Sequence, residues 1–287
     1  MKMKRAPLLS AAVAAALTGA AWAGPIGINY VDTADDGVRD GLPDSLLPTE
    51  SAGAPGYQQV GWNNMGRWGQ TVGLKDSTGA ATGATSTWDS ANTWNDGAGV
   101  GSPDAKLMNG YLDATGEVND NTIPYGFFNN KNKPEVYAAG LSAWLLSQGA
   151  TSYKVVVYTD GDNSSGRKGE YWLQAGSGGD PPTILGPDLT SHVFVSDVSN
   201  FSGAFTEVPL SANTLATAGE GNFFVFTGLT ADSFILRSEE YASGVAGDAL
   251  RAQINGLQII AVVPEPASLA LLGIAATTLL GRRRRNK

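Results

Sequence analysis

The sequence predicts an all-β body, an antiparallel β-sandwich of jelly-roll type, set between an export signal and a membrane-directed tail. Three observations carry this fold class. Short apolar runs with alternating side chains recur through residues 24–263, and each ends in Gly, Asn, Asp or Pro. Helical periodicity is nearly absent. About ten such runs in a chain of this length are the pattern of one large sandwich rather than of several small domains.

The clearest strand is "TSYKVVVYTDGD", in which Tyr153, Val155 and Val157 alternate with Lys154, Val156 and Tyr158 before a turn at Asp160-Gly161. "GEYWLQAG", "SHVFVS", "NFFVFTGL", "DSFILRS" and "RAQINGLQIIAVV" read as further strands, as do the earlier "IGINYVD", "QQVGWNN", "QTVGLKD" and "KLMNGYL". One helical turn is expected at Leu141 to Ser147, where "LSAWLLS" lacks strand alternation. Asp32 to Gly56, with three prolines, reads as a long surface loop.

The first 23 residues have the three parts of a secretory signal. Lys2, Lys4 and Arg5 precede the apolar run Leu8 to Ala20, and Ala21-Trp22-Ala23 offers signal peptidase an A-x-A site. The expected mature chain therefore begins at Gly24. Residues 24–263 hold 11 Lys and Arg against 26 Asp and Glu, a net charge of −15, since eight basic residues lie in the two terminal segments. So acidic a body is repelled by phosphate backbones and anionic membrane surfaces, which argues against a nucleic-acid role. The chain has no cysteine, so disulfides, thiolate nucleophiles and Cys-based metal sites are excluded as well.

At the other end, Pro264-Glu265-Pro266 leads into the uncharged run Ala267 to Leu280, followed by Arg282, Arg283, Arg284 and Arg285. The two prolines keep Glu265 in an extended, accessible stretch. As a helix the apolar run would be about 21 Å long, short of a ~30 Å hydrocarbon core. Local thinning and long flanking side chains absorb that mismatch. The positive-inside rule puts the arginines on the cytoplasmic side and the body outside. This ordered triplet of elements resembles the PEP-CTERM sorting signal of Gram-negative bacteria. The resemblance implies recognition by an exosortase, a transient stay in the inner membrane, and a link to exopolysaccharide or biofilm production. The segments from Trp62 to Pro266 also resemble a body often found ahead of such tails, which implies a sandwich and no settled activity.

Candidate chemistry in the body is sparse. His192 is the only histidine, and Ser191 points to the opposite face of its strand, so a Ser-His-Asp triad is not expected and His192 reads as an ordinary strand residue. Glu170 and Glu207 are the two acidic residues placed in probable strands among aromatics, the minimum for a glycoside hydrolase or polysaccharide lyase. Calcium is the better expectation, with Asp160, Asp162 and Asn163 as hard oxygen donors on one loop and a second acidic loop at Asp32, Asp35, Asp36 and Asp40. Trp88 and Trp94, set among Thr, Ser, Asn and Asp, are the expected sugar-stacking platform, with Trp62 beside Asn63 and Asn64 as a third candidate. The expectation is thus an exported, non-enzymatic surface or matrix protein with weak carbohydrate binding. A secreted hydrolase or lyase is the competing reading.

Overall fold

The computed structural model describes residues 24–263 apart from 34, 68, 91, 96, 114–133, 162–166, 178–182, 198–199 and 242–251. The expected signal peptide (1–23) and the tail, with Pro264, Glu265, Pro266 and Arg282 to Arg285, lie outside the described residues. Among the described residues no helix is long and apolar enough to cross a membrane.

Two sheets packed face to face make the body. The smaller has five strands in the order β13 (Phe223–Leu229), β8 (Ser152–Tyr158), β15 (Gly256–Val262), β1 (Ile26–Tyr30), β2 (Asn63–Met65). The larger has eight. Its path is β12 (Gly219–Glu220), β11 (Val193–Asp197), β9 (Arg167–Ser177), β14 (Phe234–Tyr241), β7 (Glu135–Ala139), β4 (Ala81–Asp89), β3 (Gly69–Lys75), with β10 (Thr183–Asp188) also paired to β9. A separate two-stranded ribbon joins β5 (Asn92–Asn95) to β6 (Gly110–Asp113). The helices are short, α1 at Pro103–Asn109 and α2 at Leu141–Ser147.

The all-β expectation holds, with a correction to its topology. The β1–β2 and β11–β12 pairs are parallel, and sheets of five and eight strands replace the two matched antiparallel sheets of a jelly roll. Both parallel pairs involve an edge strand of two or three residues, short enough for a connection to lay it down in either direction. Helix α2 lies where the sequence places it. "KLMNGYL" does not form one strand: Ser102 caps α1 by accepting a hydrogen bond from the Ala105 N–H, Pro103 opens the helix, and the strand β6 begins only at Gly110. The polar stretch around Trp88 and Trp94 forms strands β4 and β5.

Side-chain alternation builds the core. Tyr153, Val155 and Val157 of β8 face inward with Ile26, Ile28, Phe224, Phe226, Leu257 and Ile259, against Trp88, Val136, Tyr171, Leu173, Val193, Phe234 and Leu236 of the larger sheet. Ring contacts tie the two layers together, Tyr171 to Phe224 at 5.2 Å and Tyr153 to Phe234 at 6.1 Å. The opposite face of β8 is also covered: Val156 and Tyr158 pack with Leu46, Ala52, Ala54, Trp62, Met108 and Phe223. This double burial explains the unbroken Val155-Val156-Val157 run, since a strand covered on both faces has no solvent side to mark. It also corrects the expected surface loop, because Asp44, Ser45, Leu46, Ala52 and Ala54 are buried under that second layer.

The sheet order fixes two distinct ends. Strand β15 lies between β8 and β1, and β1 runs antiparallel to it with Ile26 opposite Ile259, so Gly24 and Val263 emerge side by side. The C-terminus of α2 adjoins them, as Gly24, Pro25, Trp144, Gln148, Ile260, Ala261 and Val263 enclose one recess. At the far end of the same sheet sit Asn29 opposite Gly256 and Tyr158 opposite both Gly256 and Phe223. A seven-residue strand such as β15 spans roughly 23 Å, which sets the separation of the ends.

Candidate functional site

The far end holds a polar cavity of about 210 Å³. Its floor follows from the way β8 ends. After Tyr158 the chain turns through Thr159, Asp160 and Gly161 across the mouth of the sandwich, and each freed backbone group needs a partner there. The Asp160 N–H donates to Asn255 Oδ1 at 2.6 Å, and Asn255 Nδ2 donates to the Met108 carbonyl at 2.7 Å. The Gly161 N–H donates to Asp197 Oδ2 at 3.1 Å, and Gln253 Nε2 donates to the same oxygen at 2.7 Å. A side chain at position 161 would place its Cβ 3.0 Å from the Gln253 amide and 3.1 Å from that carboxylate, so it would push the two clamp side chains outward. Tyr171 donates its hydroxyl to the Gln253 carbonyl at 3.0 Å, and burial pushes its phenol pKa well up, which keeps it a donor at any physiological pH.

This clamp leaves two carboxyl groups, Asp160 (1% exposed) and Asp197 (6% exposed), in the cavity wall. Asn200, Ser202, Thr206, Glu220 and Asn222 complete its polar lining, with Phe201 as the apolar side. A volume under ~300 Å³ is below the usual drug-sized pocket and suits one small polar unit. Carboxylates drawn out of water are stabilised by a cation or by strong hydrogen-bond donors such as sugar hydroxyls. Among the described residues no group of three His, Asp or Glu stands close enough together to hold a metal ion. Of the expected calcium donors, Asp160 lies in the wall, while Asp162 and Asn163 fall outside the described residues.

The outer face of the larger sheet carries a second array. Strand register sets His192 beside Trp172, Trp172 opposite Arg237, and Arg237 opposite Glu135. The His192 ring stacks on Trp172 at 4.6 Å and 8°, and the Arg237 guanidinium lies 5.4 Å from the same indole. Arg237 pairs with Glu135 at 2.8 Å. His192 Nδ1 meets Glu170 at 2.5 Å, and Nε2 meets Asp188 at 3.1 Å. Burial opposes charge on this ring, but hydrogen bonds to the two carboxylates outweigh it and raise the His192 pKa above the usual 6.5. The expectation of an ordinary strand residue missed this pairing. The pairing of β11 with β9 places the lone histidine diagonal to Glu170, a relation set by the sheet order because β10 lies between the two strands in sequence.

Trp88 is corrected: it is wholly buried, packs on Tyr30 at 6.3 Å and donates its indole N–H to the Gly66 carbonyl at 2.8 Å. It has no face to offer a sugar, so the paired platform with Trp94 does not form, although Trp94 itself is 45% exposed. Trp62 is buried too, its N–H held by the Gln59 carbonyl at 3.0 Å. In the loop of Asp32, Asp35, Asp36 and Asp40 the carboxylates turn to separate protein partners, Asn95, Arg39, Arg67 and Asn64, rather than to one cation. Glu207 is exposed on a segment bridged to β13, whereas Glu170 is buried on the outer face of the larger sheet.

No curated protein and no solved structure matches the chain. Residues 262–285 match the family model of the PEP-CTERM protein-sorting motif, so this chain carries, directly after β15, the signal that marks exported proteins for sorting by an exosortase.

Proposed function

We propose that this exosortase-sorted protein is a non-enzymatic component of the cell surface or exopolysaccharide matrix. Its ligand contact is the polar cavity at the end remote from the sorting motif, and its ligand is a neutral glycan. The observation that carries this reading is the cavity itself: carboxylates, amides and hydroxyls around a space for one small polar unit, held by a buried hydrogen-bond clamp. The net acidity of the body favours a neutral polymer over a uronic-acid polymer, except where calcium bridges the like charges. Removal of residues 1–23 by signal peptidase belongs to the same reading, and an intact mass that still includes Met1 would refute it.

A glycan array on residues 24–263, run with calcium and with chelator, tests the ligand. Binding that is lost in Thr206→Ala and Asp197→Asn supports the cavity. Binding that survives both substitutions places the contact elsewhere, with exposed Trp94 the next residue to change. The competing hydrolase reading has one observation in its favour, the Glu170–His192 pair. Glycosidases, however, set two carboxyl groups roughly 5–10 Å apart across the scissile bond. Glu170 is closed onto His192 and is buried, and no contact joins it to Glu207 among the described residues. Polysaccharide turnover by the purified body, abolished by Glu170→Gln or Glu207→Gln, would establish the enzyme instead.

A further inference from the structure

We propose that the end of the sandwich formed by Gly24, Pro25, α2 and Ile260 to Val263 lies against the lipid headgroup layer of the membrane that holds the tail, with Leu146 as its apolar contact. This rests on the reading of Ala267 to Leu280 as the membrane-entering segment of the sorting signal. Chain length then leaves little freedom. Three residues, Pro264, Glu265 and Pro266, separate Val263 from Ala267, and four fully extended steps reach at most about 14 Å. Roughly 5–7 Å of that reach is used to cross the headgroup layer of one leaflet. What remains is shorter than the ~10 Å spacing of two packed sheets, so the body cannot stand off from the surface.

The chemistry of this end agrees with that position. Leu146 on α2 is 80% exposed, the most exposed large hydrophobic side chain among the described residues, and Val262 is 42% exposed. Trp144 and Gln148 line the adjoining recess of about 280 Å³, and the Trp144 indole N–H has no acceptor within the described protein. Trp144 itself is buried, so the apolar surface offered to the interface is that of Leu146 and Val262. None of the side chains enclosing this recess is charged, and cleavage before Gly24 adds only a positive α-amino group, whereas the far cavity presents Asp160, Asp197 and Glu220. An anionic headgroup layer tolerates the first end and repels the second.

The chain contains no cysteine, so a single reporter can be placed without background. Leu146→Cys and Ser202→Cys, each labelled with an environment-sensitive fluorophore, are reconstituted as mature chains of residues 24–287 in phosphatidylcholine–phosphatidylglycerol vesicles containing a headgroup spin-labelled lipid. Both positions are exposed, so neither substitution threatens folding. The expected result is quenching at 146 and none at 202. A chain that floats with the vesicles but shows no quenching at 146, or equal quenching at both positions, overturns the orientation while the anchor reading stands. A chain that does not float with the vesicles overturns both together. Quenching at 146 that appears only on adding exosortase assigns this end to the enzyme and overturns the lipid contact.

Discussion

A buried tryptophan lies toward each end of the sandwich, and the two differ. Trp88 lies toward the far end, packed on Tyr30 at the last residue of β1, with its N–H satisfied by the Gly66 carbonyl. Trp144 plugs the other at 1% exposure, with its N–H unmatched among the described residues and a recess free of charged side chains beside it. A buried donor without an acceptor costs stability, so a fold keeps one only where packing outweighs the loss or where another partner arrives. At the far end the indole donor is met by a backbone carbonyl, whereas at the end that carries both chain exits it is met by nothing among the described residues.

The largest effect should come from removing the satisfied tryptophan. Trp88→Ala deletes an indole from the contact between the sheets and is expected to cost about 3–5 kcal/mol, read as a drop in denaturation midpoint at unchanged m-value. A loss under ~1 kcal/mol would mean that Trp88 is not in the core. Next comes the clamp at the same end. Asp197→Ala leaves the Gly161 N–H and the Gln253 amide without their shared acceptor, an expected cost of about 1–3 kcal/mol. Asp197→Asn keeps one oxygen and should lose less. Equal stability of wild type and Asp197→Ala would show that solvent, rather than the clamp, satisfies those donors.

The comparison sharpens when the same change is made at both ends. Trp88→Phe keeps a ring and removes a made hydrogen bond, leaving the Gly66 carbonyl unpaired, so it should cost about 1–2 kcal/mol beyond the change in ring size. Trp144→Phe removes a donor that has no acceptor among the described residues. In detergent-free solution it should be neutral within about 1 kcal/mol, or stabilising. If the two substitutions cost the same, the ends are equivalent and their contrast is only apparent.

How much of this was legible from the residues depends on the range of the interaction. Strand β8 and helix α2 were, because alternation and its absence are local signals in "YKVVVY" and "LSAWLLS". So was the sorting motif, three ordered elements within 25 residues. Asp160 was found as part of an acidic loop, yet its cavity partner Asp197 lies 37 residues on, and only the sheet order brings them together. Trp88 was misplaced because its polar neighbours Thr87 and Asp89 suggested solvent. In a strand, neighbours point the other way, and polar flanks say nothing about the face that the tryptophan occupies. The His192 stack was missed because cross-strand register is invisible before the strands are paired.

The smallest expected effect lies on the flank between the ends. The folded His192 pKa is raised above the unfolded value of ~6.5, because its bonds to Glu170 and Asp188 outweigh the burial that opposes its charge. A raised pKa means that the folded state binds the proton more tightly than the unfolded chain does. The stabilisation from this group is therefore complete below the unfolded pKa and is lost as pH rises through the folded one. As His192 is the only histidine in the chain, its ring protons give a single unambiguous titration curve. The midpoint should lie above ~6.5 in the wild type and move down in Glu170→Gln, which removes the carboxylate at Nδ1 and leaves the ring stacked on Trp172. The thermal midpoint should fall gently over the same pH window in the wild type and less in Glu170→Gln. Neither change should alter glycan binding at the far end or quenching at position 146, since the stack touches neither. A wild-type midpoint at or below ~6.5 would mean that burial wins at His192 and that the two carboxylates do not hold its proton.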